Sequence, residues 1–149
     1  MKKRLVVGSK GERDAKPWIE QVFGEVEFSD DNYANFDFHS RDNKVFVEHK
    51  ERFCRYGQYD GLYFDKIKYT KFLELKKTDS SVRCFIVWTC RNGRYVWEFQ
   101  ESDTLEDNNT IVWEPYFQRN FDRGQGRLQD TDLINVLNEY IKPLTGYQL

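Results

Sequence analysis

The sequence contains no apolar run near the roughly 20 residues that a membrane-spanning helix needs, so we expect no association with a membrane. It begins with the basic stretch Met-Lys-Lys-Arg, but only three apolar residues follow before Gly8. A secretory signal needs a longer apolar segment, and this pattern excludes one. We therefore expect a cytoplasmic protein, or one in the cytoplasm or nucleoid of a host cell if its source is a virus.

Cysteine is scarce. The three cysteines are Cys54, Cys84 and Cys90, an odd number, and no two of them have C-x-x-C spacing. This arrangement argues against a zinc site and against a disulfide framework. It indicates reduced thiols in a reducing compartment.

The sequence also lacks internal repeats, low-complexity tracts and linkers rich in proline or glycine. Its 149 residues are 39% hydrophobic and 17% aromatic, which is enough apolar surface for one core. We therefore expect a single domain that covers residues 1–149.

Net charge is small, at −2, which argues against a protein that simply coats nucleic acid. The charge is unevenly spread, however. Residues 44–77 hold nine Lys or Arg against five Asp or Glu, and residues 98–114 hold six acids and no Lys or Arg. The basic middle would serve as a local electrostatic contact for nucleic acid, or the chain simply has a mixed solvated surface.

Hydrophobic periodicity predicts a mixed α/β sheet with helices packed on it. The predicted helices cover residues 11–23, 59–77 and 130–142. The predicted strands cover residues 25–29, 35–40, 44–50, 82–89 and 94–99, with 110–113 as a further edge strand. Ser9 would cap the first helix, although Pro17 also allows a start near Ala15. Asn92 and Gly93 form a turn pair typical of a hairpin.

Charged side chains interrupt the apolar stretch FDFHSRDNKVFVEHKER, residues 36–52. Side chains alternate across a strand, so Phe46, Glu48 and Lys50 share one face. A tight hairpin would bring Asp37 of the preceding strand beside this row. The sequence therefore predicts two carboxylates and one ammonium group at one place on the sheet.

Two neighbouring carboxylates repel each other unless a cation lies between them. Oxygen ligands with room for water suit Mg²⁺ or Mn²⁺, and such an ion activates water and stabilises charge on a phosphoryl group. Lys50 would orient the attacking water or neutralise the developing charge. The alternative is an ordinary exposed strand face that carries a Glu–Lys pair.

Basic side chains follow this stretch and would contact a phosphate backbone. They are Arg52, Lys66, Lys68 and Lys71. The alternative is an amphipathic helix whose basic face is solvated.

Two parts of the sequence resemble known nucleases. Asp37, ten further residues and then Glu48-His49-Lys50 resemble the active-site pattern of the PD-(D/E)XK nuclease superfamily, with Phe36 in place of the motif's proline. The stretch GSKGERDAKPWIEQVFGEVEF, residues 8–28, resembles the opening of archaeal-type Holliday junction resolvases. The likeness extends over residues 8–99, and the segment after them has no counterpart in that family.

The resemblance implies a restriction-endonuclease-like mixed central sheet flanked by helices. It also implies a magnesium-dependent endodeoxyribonuclease in which Mn²⁺ substitutes for Mg²⁺. Asp37, Glu48 and the backbone carbonyl of His49 would be metal ligands, and Lys50 would be catalytic. Glu12 matches the family's helical metal-site glutamate, although a first-turn glutamate is also favoured by the helix dipole.

The same resemblance implies a role in DNA recombination and repair. A resolvase acts on branched DNA with two active sites, so the chain would form a homodimer. Two alternatives stay open: a phage- or virus-type nuclease acting on other DNA, and a DNA-binding module of this fold without catalysis.

Overall fold

The structure, a computed structural model, describes residues 8–30, 34–101, 111–118 and 129–149, with the backbone alone described for 111–118 and 129–132. The helices are α1 (Lys10–Phe23) and α2 (Lys66–Thr78). The strands are β1 (Val26–Phe28), β2 (Phe38–Ser40), β3 (Val45–Glu51), β4 (Gly61–Asp65), β5 (Arg83–Cys90), β6 (Gly93–Glu98), β7 (Ile111–Gln118), β8 (Gln129–Leu137) and β9 (Lys142–Pro143). A 3-10 turn covers Asn138–Tyr140. Neither helix in the described ranges is long and apolar enough to cross a bilayer.

Six strands form a mixed sheet in the order β1-β2-β3-β5-β6-β9. Only β3 and β5 are parallel among these pairs, and the other neighbours are antiparallel. Parallel neighbours require a long crossover connection, which here contains β4 and α2. The predicted mixed α/β architecture is therefore confirmed.

Each face of this sheet has its own apolar core, because residues along β5 alternate between the two sides. Phe85 and Val87 pack with α1 on one face. Cys84, Ile86 and Trp88 pack on the other face with residues of α2, β4 and β8. The sheet thus lies between α1 on one side and α2 with the second sheet on the other.

Helix α1 begins where its capping signal predicts. Ser9 Oγ accepts from the backbone N–H of Glu12, and Glu12 reaches back to the N–H of Ser9, which completes a capping box. Pro17 lies inside the helix on an exposed position, where water can satisfy the carbonyl that loses its N–H partner. The alternative start near Ala15 is wrong. Gly24 ends the helix at a φ of 82°, which favours glycine.

The predicted hairpin is confirmed. Strands β5 and β6 pair antiparallel, with Cys90 opposite Gly93. Gly93 has a φ of 141°, a conformation that residues with a Cβ rarely adopt.

The helix predicted for residues 59–77 is wrong in its first half. Gly61–Asp65 forms β4, and the helix begins only at Lys66. Leu62 and Phe64 are buried on the same face of β4, which is the period of two typical of a strand. The apolar spacing over residues 59–77 as a whole fits a helix and hides this short alternation. A side chain on Gly61 would collide with the backbone of Val136, because β8 lies against it.

The final helix predicted for residues 130–142 is also wrong. Residues Gln129–Leu137 form β8, the middle strand of a three-stranded antiparallel sheet with the order β4-β8-β7. Leu133, Ile134, Asn135 and Val136 are consecutive and all buried, so both faces of this part of β8 are shielded from solvent. The edge strand predicted for residues 110–113 corresponds to β7, which is longer and belongs to this second sheet.

Candidate active site

The pairing of β2 with β3 brings Asp37 beside Glu48. Phe38 lies opposite Val47, so the residue before Phe38 meets the residue after Val47. The N–H of Asp37 donates to Glu48 Oε1 at 3.1 Å, and the N–H of His49 donates to Asp37 Oδ2 at 2.9 Å. The juxtaposition of Asp37 with Glu48 that the strand pattern predicts is therefore observed.

Glu48 is a buried carboxylate with two ammonium neighbours. Its side chain is only 2% exposed. Glu48 Oε2 lies 3.3 Å from Lys50 Nζ and 3.5 Å from Lys68 Nζ. Burial of an ionised group is costly unless it is paired and hydrogen-bonded, and these contacts supply part of that compensation.

The compensation is incomplete. Burial, followed by repulsion from Asp37, raises the pKa of Glu48 to about 7, against the attraction of Lys50 and Lys68. Near neutral pH, Glu48 therefore gains or loses a proton readily. Perturbed carboxyl groups of this kind concentrate at functional sites.

Lys50 bridges two carboxylates at the boundary with solvent. Its Nζ lies 3.3 Å from Glu48 Oε2 and 3.7 Å from Asp65 Oδ2, and the side chain is 27% exposed. Burial acts to lower the pKa of Lys50, but attraction to Glu48, Asp65 and Asp37 outweighs it and raises the pKa above its usual value. Lys50 is thus a protonated group that solvent can reach.

Lys68 has a different place from the one predicted. We predicted a contact to a phosphate backbone, or a solvated face, yet Lys68 is only 5% exposed. Its ammonium group donates to the carbonyl of Asn35 and pairs with Glu48. A group this buried is poorly placed to contact a DNA backbone. It instead pairs with Glu48 from helix α2.

Sequence reasoning missed the parts that Asp65 and Lys68 play at this site. Asp65 was hidden inside the predicted long helix, whereas it ends β4 and precedes α2. Lys68 shares its helical face with the buried Phe72, four positions on. That spacing is the signal that could have marked Lys68 as an inward-facing residue.

Glu12 closes the capping box at the start of α1. Its Oε2 accepts from the N–H of Ser9 at 3.3 Å. A Cβ on Gly8 would lie 2.7 Å from the same oxygen and 2.5 Å from a ring carbon of Phe28. The first-turn role is thus observed, and a role for Glu12 at the metal stays a prediction.

The remaining predicted residues differ in their surroundings. His49 points to the other face of β3, as predicted, where its Nε2 is 2.7 Å from Thr89 Oγ1. Arg52 donates to the backbone carbonyl of Tyr63 at 3.2 Å, which ties it to β4. Lys66 and Lys71 are partly buried on α2. Contacts of these residues to DNA, and of the His49 carbonyl to a metal, stay predictions.

The donor set suits a divalent cation, although it is small. Within residues 8–30, 34–101, 111–118 and 129–149, no group of three or more His, Cys, Asp or Glu side chains is arranged to hold a metal. Mg²⁺ commonly needs only one or two carboxylates, with water and substrate phosphate as its other ligands. Asp37 and Glu48 provide two carboxylates whose repulsion a cation would relieve.

Glu48→Gln is expected to stabilise the fold at high pH in metal-free buffer. The folded pKa of about 7 exceeds the ordinary 4.5, so ionisation of Glu48 lowers the free energy of unfolding. This loss is absent below pH 4.5, grows between pH 4.5 and 7, and is constant above pH 7. That loss is roughly 3 kcal/mol at about 1.4 kcal/mol per pH unit. Urea unfolding at pH 8 should show the gain, and at pH 4 the two proteins should unfold alike.

Glu51→Gln is the matched control, since it changes an exposed carboxyl at the end of the same strand. It should leave stability within about 0.5 kcal/mol of the unchanged protein. If Glu48→Gln were less stable at pH 8, the pairing of Lys50 and Lys68 with ionised Glu48 would stabilise the fold by more than burial of that charge destabilises it.

Comparison with known proteins finds no family model that matches the chain and no match among curated proteins. The likeness to a nuclease family therefore rests on the residues and their geometry.

Proposed function

We propose that this protein is a metal-dependent DNA endonuclease of the PD-(D/E)XK type, with the six-stranded sheet as its restriction-endonuclease-like core. The observation that carries the proposal is the contact of Asp37 with the buried Glu48, beside the protonated Lys50. These are the two acids and the lysine of the motif, brought together by strand pairing. The mixed sheet, in which β3 pairs parallel with β5, supports the proposal.

Asp37 and Glu48 would hold Mg²⁺, or Mn²⁺ in its place, and the His49 carbonyl would be a further ligand. When bound, the ion polarises phosphoryl oxygen and lowers the pKa of its water. Glu12 would add a ligand or orient water from α1. Lys50 would place its ammonium group against the developing negative charge on phosphorus, or orient the attacking water.

The contacts around Glu48 suit a binding site better than a structural ion pair. Lys68 holds Oε2 from the interior, and the Asp37 N–H holds Oε1. These contacts orient the side chain, while burial and repulsion from Asp37 keep the pKa of Glu48 raised. A position that served stability alone would be better filled by a neutral residue. The presence of a buried acid there, despite the expected loss of stability, supports a functional use.

The substrate class rests on the resemblance. Branched DNA is our preferred substrate, with a homodimer that places two sites about a two-fold axis. A phage- or virus-type nuclease acting on other DNA would use the same residues. A non-catalytic DNA-binding module would have no use for Asp37, Glu48 and Lys50 together, and their joint presence favours an enzyme.

The test is incubation with linear, nicked, flapped and four-way DNA in Mg²⁺ or in EDTA. We expect cleavage in Mg²⁺ and none in EDTA, since the acidic pair alone cannot activate water. Preference for four-way DNA, with a dimer in sedimentation, would support a resolvase. Equal cleavage of all substrates by a monomer would leave a general nuclease. Binding without cleavage in either Mg²⁺ or Mn²⁺ would favour the non-catalytic module.

A further inference from the structure

The loop of residues 52–60, which joins β3 to β4, displays aromatic rings to solvent. Phe53 is 88% exposed and Tyr59 is 58% exposed. Loops held by a rigid scaffold often carry binding residues, and this loop follows directly on the strand that carries Glu48 and Lys50. Phe53 is only three residues from Lys50, so the two Cα atoms are at most about 10 Å apart, roughly three base steps along a DNA strand.

The backbone on both sides of Phe53 is fixed. The N–H of Arg52 donates to the Thr89 carbonyl at 2.9 Å, and the carbonyl of Cys54 accepts from the N–H of Arg91 at 3.1 Å. Both bonds tie the loop to the carboxyl end of β5. Phe53 is therefore held outward between two anchored neighbours, and it does not fold back on the core.

The rest of the loop is also anchored. The N–H of Tyr56 donates to Asn92 Oδ1 at 2.8 Å, and Asn92 Nδ2 donates back to the Tyr56 carbonyl at 3.1 Å. The Tyr56 ring stacks on Tyr95 with centroids 4.2 Å apart and planes 16° apart. Because the loop is ordered by these contacts, presenting a ring to a ligand costs little further entropy.

The charge beside Phe53 suits an anion. Arg55 and Arg91 are exposed, and Arg91 is adjacent through its backbone bond to Cys54. Asp60, the acid at the far end of the loop, accepts from Asn135 Nδ2 at 3.3 Å. An exposed ring on a loop with two exposed arginines near it suits a nucleotide, whose base would stack while its phosphate pairs with arginine.

We propose that the 52–60 loop binds unpaired nucleotides, with Phe53 as the ring on which a base stacks and Arg55 and Arg91 as phosphate contacts. The inference rests on the proposed function only for its consequence: among branched DNA molecules, those with unpaired bases beside the bond to be cut would be the better substrates. A base in duplex DNA already has stacked neighbours, so the ring gains little from it.

The test measures binding of the full chain in EDTA, where no cleavage occurs. Fluorescence anisotropy would use labelled oligothymidine and a fully paired blunt-ended duplex with the same number of phosphates. Phe53→Ala should weaken binding to oligothymidine by about fivefold to a hundredfold and leave duplex binding within about twofold. Phe53→Trp should retain binding, and Leu149→Ala, which truncates an exposed apolar residue outside the loop, should have no effect.

A second measurement reports stacking itself. An oligonucleotide containing 2-aminopurine should lose fluorescence on binding the unchanged protein, and Phe53→Ala should abolish that quenching. Unchanged affinity and quenching in Phe53→Ala would overturn the proposal. So would a change from dimer to monomer in sedimentation without an effect on DNA, since Phe53 would then contact a second copy of the chain.

The two proposals fail separately. Binding of oligothymidine through Phe53 without cleavage of DNA in Mg²⁺ would support the stacking site and contradict the proposed nuclease. Cleavage of DNA together with unchanged oligothymidine binding in Phe53→Ala would support the nuclease and contradict the stacking site.

Discussion

Asp37→Asn and Glu48→Gln should each reduce magnesium-dependent DNA cleavage by more than about a thousandfold. Each substitution removes one ligand charge and keeps the side-chain volume. Loss of the ion removes the activated water and the charge stabilisation together, which exceeds the factor of about 10²–10³ for one transition-state donor. Single-turnover cleavage of a labelled substrate at saturating protein concentration would measure this loss.

Glu48→Gln also provides its own control for folding. Its expected gain in stability at pH 8 would show that loss of cleavage does not come from unfolding. DNA binding in EDTA should be retained or tightened, because repulsion between carboxylate and phosphate falls. Glu51→Gln, on the exposed end of the same strand, should cleave normally. Full activity in Glu48→Gln would exclude the proposed site.

The parts of the fold that sequence reasoning predicted depend on short-range rules. The capping box of Ser9 and Glu12 lies within one helical turn. The turn at Gly93 joins adjacent strands. The contact of Asp37 with Glu48 follows from alternation and one tight turn. In each case, the determining residues are close in sequence, so the pattern contains the information.

The errors concern strands whose partners are far away in sequence. Strand β8 has apolar Leu133, Ile134 and Leu137 at spacings that also fit one face of a helix. What decides its structure is pairing with β4 and β7 on its two sides. The sequence pattern predicts helix for β4 and only a short strand at residues 110–113 for β7, so the pairing that makes β8 a central strand is not evident from local spacing.

The candidate site shows the same limit. Asp37 immediately precedes β2, Glu48 and Lys50 lie on the neighbouring β3, and the sequence pattern predicts the three together. The contact of Lys68 with Glu48 depends on how α2 packs against the sheet. The contact of Asp65 with Lys50 depends on where β4 ends. Helical spacing with Phe72 marks Lys68 as inward-facing, but it does not show that Glu48 is the partner of Lys68. No local pattern places Asp65 beside Lys50. Sequence reasoning therefore identified the acids and the lysine of the motif but not the charges that orient them.

Lys50→Ala should lower the rate of the chemical step by about 10²–10³ and affect DNA binding much less. Lys50 is protonated because three carboxyl groups raise its pKa, and 27% of its side chain is exposed to solvent. A single positive group aimed at developing charge is worth that factor. Lys68 is too deeply buried behind Glu48 to replace it. Single-turnover rates and DNA affinities, measured separately, would resolve the two effects.

Two further variants distinguish catalysis from positioning. Lys71→Ala removes a partly buried lysine from α2 and should leave the chemical step unchanged. Asp65→Asn weakens one anchor of the Lys50 ammonium, 3.7 Å away, and should reduce the rate less than Lys50→Ala does, because Glu48 still holds the group. A Lys50→Ala protein that binds DNA weakly but cuts at the normal rate when saturated would show that Lys50 contacts only the phosphate backbone. Its interaction with Glu48 and Asp65 would then be a structural ion pair at the edge of the site.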